Sequence, residues 1–168
     1  MAAVLYALAL VAVLAAPALL AFYPAGYDRM TPAHLAAFVV ATALLAAFGR
    51  RRAHRGGRPA RAGLVLGAVA GTAGAALSQW LMHTPPATQA FVADLAAHGV
   101  PPRAALIMHQ LHLVTSAVLT ALIAAVFYGA VGLVAAWWGS RFAPQAPRTG
   151  NDRREETDRR RLKAGPST

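Results

Sequence analysis

Beyond Met1 the chain has three methionines, Met30, Met82 and Met108, and each lies within four residues of a histidine. His34, His83, His109 and His112 make up that company; His98 stands between the last two groups, and His54 lies among arginines. Met108 and His112 are four apart and His109 and His112 three apart, spacings that share one face of a helix. Met30 and His34 are also four apart, but Met30 precedes the expected helix and need not follow its phase. Imidazole suits copper, zinc, iron and nickel, and thioether sulfur favours Cu(I). His34, His83, His109 and His112 with Met82 and Met108 are therefore the candidate metal set, for copper or zinc. A b-type haem is the other cofactor this pattern admits, with His83 and either His109 or His112 as axial ligands. The plain alternative is that His and Met suit a membrane interface, where one end of a side chain is wet and the other apolar.

Other chemistry is absent from the pattern. The chain has no cysteine, which excludes disulfides, thiolate metal sites and Cys nucleophiles. The HExxH motif is missing, as are a nucleophile–base pair, paired carboxylates and a Gly-rich phosphate loop. An enzyme is thus not the leading expectation. Asp28 and Asp94 would be the only acids near the His/Met groups, as ring-orienting partners or as solvated loop residues.

The elements that must position these residues follow from composition. Of 168 residues 57% are hydrophobic and only 13% charged, with mean hydropathy +0.46. A soluble domain this small has too much surface to cover with so few charges. Crossing a ~30 Å hydrocarbon core takes about 20 apolar residues, and four runs qualify, at about 2–23, 33–48, 62–83 and 104–138. The first is the length of a secretory signal, but no basic residue precedes Arg29, which favours a retained span bent at Pro17. Thr31-Pro32 predicts the start of the second, as a capping hydroxyl followed by proline. Gly63, Gly67 and Gly71 fall on one face of the third with Ala75, a small-residue stripe for close helix packing. The fourth is too long for a bilayer and must tilt or protrude. Ser78, Gln79, Gln110, Thr115 and Ser116 are polar enough to join helices by hydrogen bonds.

Orientation follows from arginine. The stretch 49–62 carries six, Arg50, Arg51, Arg52, Arg55, Arg58 and Arg61, and residues 141–168 carry eight basic residues, while the two other connections carry Arg29 and Arg103 alone. The positive-inside rule puts the arginine loop, both termini and the tail in the cytoplasm and the His/Met groups outside. Thr84-Pro85-Pro86 and Phe91, Val92 and Leu95 predict a short outer amphipathic helix ending near His98-Gly99. The net charge of +10 flanks apolar spans without interleaved aromatics, which argues against nucleic acid. A single lysine among 16 basic residues, with abundant alanine, fits a GC-rich bacterial genome.

The expectation is an all-α, four-helix transmembrane bundle over 1–140, with a disordered basic tail at 141–168, in the bacterial cytoplasmic (inner) membrane. Its function is expected to be that of a small accessory, assembly or scaffold subunit, held to a membrane-protein partner or to its own copies by the glycine stripe. The alternatives are an outer-face copper or zinc site and a haem-binding subunit. The lipid bilayer is the one partner common to all three.

Overall fold

A computed structural model describes residues 1–23 and 26–143, without the side chains at 27 and 112–115. The expected disordered tail, beyond 143, lies outside the described residues. Those residues are helical with no strand, and four helices are long and apolar enough to cross a membrane.

α1 (Ala2–Ala15) runs directly into a 3-10 segment, Ala16–Phe22. Pro17 accounts for the change, since it has no amide to donate to Val13 and its ring crowds the preceding turn. At ~1.5 Å per α residue and ~2.0 Å per 3-10 residue, the two together reach roughly 35 Å, enough for a bilayer core. Gly26 precedes α2 directly. Gly26 is buried there, with its amide 2.9 Å from the Tyr23 carbonyl, and any side chain would run into the Leu20 carbonyl.

α2 spans Tyr27–His54, so it begins earlier than Thr31-Pro32 and contains Pro32; Thr31 is not its cap. Pro32 is the sixth residue, past the amides that lack an intrahelical partner, so it forfeits the bond to the Asp28 carbonyl and crowds the first turn, a cost the helix carries. Asp28 in the first turn adds a carboxylate where the helix dipole favours one. α3 is Pro59–Met82, opened by proline at its first position. α4 is Pro85–Ala97, closed by Gly99 at φ 85°, with the Val100 amide 3.0 Å from the Leu95 carbonyl. That left-handed closure is where glycine carries no steric penalty. α5 is a 40-residue helix, Pro102–Arg141, about 60 Å long at 1.5 Å per residue.

The most extensive packing is α3 on α5. Gly63 meets Gly132 and Ala136, Gly67 meets Tyr128 and Gly132, and Gly71 meets Ala124 and Tyr128. The two helices are antiparallel, and their backbones touch along a seam of small residues. α2 also packs on α5, with Gly49 against Ala136 and Gly139 against Ala46, and with Phe38 beside Phe127 one stretch earlier on both helices, so it runs parallel to it. α1 runs with α3, Leu14 beside Gly74. The core joins Leu10 and Leu14 of α1, Ala41, Leu45 and Phe48 of α2, Leu66 and Ala70 of α3, and Ala135 of α5.

Two ends result. The start of α1, the α2–α3 loop and the end of α5 share one, the arginine end. The end of the 3-10 segment, the start of α2, the end of α3, α4 and the start of α5 share the other, the histidine end. Between them large apolar side chains face outward on every long helix, among them Leu8, Val39, Val69, Leu119, Leu122 and Val126.

Candidate functional site

The histidine end is built by the α3–α4 turn. Thr84 donates its hydroxyl to the Leu81 carbonyl at 2.7 Å, tying off α3, and Pro85 starts α4 at once. α4 then lies across the first turns of α5. Ala87 and Ala90 on α4 and Ala105 on α5 are all buried, so the helices meet through small residues. One turn beyond Ala105 is His109, on the same face and covered by the same helix. It is 9% exposed, the one polar residue buried as a whole among the described residues.

Three of the groups around that imidazole can be placed. The Thr88 hydroxyl is 3.2 Å from its Nε2. The Phe91 ring lies at 5.1 Å between centroids, tilted 35°. The His83 ring lies at 5.8 Å, tilted 58°. Thr88 and Phe91 are three apart on α4, which places both over His109; His83 comes from the residue that ends α3. The pair therefore joins two helices through a third.

The separation of the pair can be judged against coordination geometry. With a metal–nitrogen bond of about 2.1 Å and the ring centre about 1.1 Å beyond, two imidazoles on one ion have centroids roughly 5 to 6.5 Å apart, depending on the angle at the metal. The observed 5.8 Å lies within that interval. What is missing is a third ligand: among the described residues no three His, Cys, Asp or Glu side chains gather closely enough to hold an ion. The side chain of His112 lies outside the described residues. Met82, the last residue of α3, is half-buried beside His83. Met108 is 56% exposed, so it leaves α5 in a different direction from buried His109.

His34 is elsewhere. The α2–α5 contacts put it level with about residue 124 of α5, some 20 Å along the axis from His109. Its Nδ1 is 2.7 Å from the Met30 carbonyl, so the i, i+4 pair is joined through the backbone and not through sulfur. His98 is exposed at the end of α4 and makes the equivalent bond to the Asp94 carbonyl, at 2.8 Å. Asp28 is exposed on α2. Of the polar residues in the spans, Ser116 keeps a buried hydroxyl with no hydrogen-bond partner among the described residues.

Sequence reasoning missed two things. Thr88 and Phe91 frame His109, and their i, i+3 spacing after a Thr-Pro start is a signal that α4 presents them together. The partner of the α3 glycines was the other. Ala124, Tyr128, Gly132 and Ala136 repeat the four-residue spacing on α5. Because that seam lies within the chain, Gly63, Gly67 and Gly71 are covered by α5, which corrects the expectation that they hold a separate partner. The correction is physical: backbones already in contact leave no room for a second helix.

Compared with known proteins, no family model matches the chain, and neither does any curated protein or solved structure.

Proposed function

We propose that this chain is a four-helix bundle subunit of the bacterial cytoplasmic membrane, with an accessory or assembly role that uses its outer end to engage a larger membrane protein. The membrane part of the proposal is supported by four apolar helices and by their outward Leu, Val and Ile side chains, which water would penalise and lipid would not. Its orientation is supported by charge: six arginines lie at the end of α2, the start of α3 and the loop that joins them, at the same end as Arg141. Arg141 sits 4.1 Å from the centroid of the Trp137 ring, and both Trp137 and Trp138 are exposed, as interfacial anchors are. α4 is then the outer helix.

The observation that carries the accessory role is the overhang of α5. Each glycine step along α3 matches an equal step back along α5, so Met82 is level with about Thr115. Residues 102–114 therefore run some 20 Å past the end of α3. On that overhang Leu106, Ile107 and Met108 are 42%, 51% and 56% exposed. Twenty residues back from Trp138 reach only 118, so these side chains stand outside the hydrocarbon. Apolar surface presented to an aqueous compartment beside a bilayer fits a docking face.

A photo-crosslinking residue placed at Ile107 tests this in cells, with Leu122 in the span as the reference position. A discrete protein adduct at Ile107 and lipid adducts at Leu122 are expected. No adduct at Ile107, or the same adduct at both, refutes the docking role.

A second reading is favoured by the His83–His109 pair, whose separation fits two ligands of one copper or zinc ion. Haem fits less well, because α4 covers His109 with Thr88 and Phe91 where a macrocycle would have to lie.

A further inference from the structure

A cavity lies at the arginine end, away from the His83–His109 pair. It is a groove of about 830 Å³ enclosed by the first turns of α1, the last turns of α2 and the start of α3. Ligand sites span roughly 300–1,000 Å³, so its size is that of a small-molecule site. Its two halves differ in chemistry. Arg51, Arg52 and Arg55 from the end of α2 and Arg58 and Arg61 from the start of α3 line one half. Val4 and Ala7 of α1 with Val65, Leu66 and Val69 of α3 line the other.

We propose that this groove binds one anionic glycerophospholipid, with its phosphate among the five arginines and an acyl chain along the valine wall. Charge supports this first. The chain has no Asp or Glu between Asp28 and Asp94, and those two acids lie toward the histidine end, so no described carboxylate neutralises the cluster. Guanidinium groups bind phosphate through paired N–H donors, and basic pockets between membrane helices on the cytoplasmic side bind anionic headgroups. α3 adds its own amino-terminal end: its first amides have no helical partner, and its dipole favours an anion there.

The apolar half selects a lipid over a soluble anion. Val4, Val65 and Val69 are 60%, 54% and 60% exposed and continue directly from the arginines toward mid-membrane. An acyl chain can enter from the side and remain in the hydrocarbon while its headgroup reaches the charges. Other occupants fit poorly. The tail from 144 onward holds seven basic and four acidic residues, so it is repelled overall. A second copy of the groove would oppose arginine with arginine. Nucleic acid would find no exposed aromatic lining the groove to stack on and would leave the valine wall uncovered.

The proposal needs only a bilayer and not the assignment of sides, so it can be tested separately from the function proposed above. The full chain in detergent would be titrated with phosphatidylglycerol or with phosphatidylcholine of the same acyl chains, and bound lipid counted by native mass spectrometry. One phosphatidylglycerol is expected to be retained about tenfold more strongly than phosphatidylcholine, and the double variant Arg55→Gln/Arg58→Gln is expected to lose that preference. Val65→Asp should weaken retention with the arginines intact, and inorganic phosphate should not displace the lipid. Arg29→Gln and Arg103→Gln, at the other end, should leave retention unchanged. Helicity and elution volume identify any variant that fails to fold; Arg51→Gln/Arg61→Gln is the substitute pair. Equal retention of the two lipids, a preference that survives both arginine pairs, or displacement by inorganic phosphate with Val65→Asp silent would each overturn the proposal.

Discussion

Replacing Gly67 by alanine sets two effects of opposite sign against each other. Helix propensity favours the change: alanine in a helix interior is about 0.8–1 kcal/mol better than glycine. The seam opposes it. A Cβ at Gly67 would be driven into the Tyr128 carbonyl and would lie 3.3 Å from the Gly132 Cα. Both obstacles are backbone, so neither can rotate away, and α3 and α5 would have to separate along the contact that also holds Gly63 and Gly71. Overpacking of this kind costs about 1–3 kcal/mol when side chains can adjust, and the rigid contact here belongs at the upper end. After subtracting propensity, Gly67→Ala should destabilise by about 2 kcal/mol. For a chain of this size that lowers Tm by roughly 4–8 °C. The assay is thermal unfolding in detergent followed by helicity, with Ala76→Leu as the reference, since Ala76 is exposed on α3. A neutral or stabilising Gly67→Ala, or an equal loss in Ala76→Leu, would refute the backbone seam.

Further outcomes follow from the same geometry. Reporter domains fused within the Arg55–Gly57 loop and after Arg141 should both be active in the cytoplasm, and one fused at Gly99 should be active only outside; a split between the first two positions would break the four-span topology. His109→Ala should destabilise by about 2 kcal/mol, since it empties a site packed under α4, whereas His83→Ala should cost under about 0.5 kcal/mol because His83 is exposed. If the pair holds copper or zinc, elemental analysis of the purified protein should find the metal in the native chain and in neither variant. Metal retained by both variants would place any site elsewhere.

The spans were legible because the preference of a side chain for hydrocarbon is a property of each residue and adds along a run, whatever the run packs against. The arginine bias around 49–62 was legible for the same reason. Helix ends were less so. Thr31-Pro32 has the chemistry of a helix start, yet α2 begins at Tyr27 and carries Pro32 inside it, so the local signal did not set the end. Pro17 marked a change in α1, and the structure decided that the change is a rewinding to 3-10.

What remained was pairing between segments far apart in sequence. The glycines of α3 announced a close contact but not its partner, since any helix with small residues every fourth position is a geometric match. α5 is that partner, and the choice required the whole chain. The histidines show the same division. His34 belongs to the candidate set by residue type, but α2 packs beside the middle of α5 and leaves His34 some 20 Å below His109. His83 meets His109 only because the Thr84-Pro85 turn folds α4 over α5. The five arginines become a groove only when α1 supplies its third wall. Partitioning is decided residue by residue, so sequence alone determined the four helices and the charge at their ends. Convergence depends on how helices cross, so tertiary structure alone decided which histidines, glycines and arginines meet.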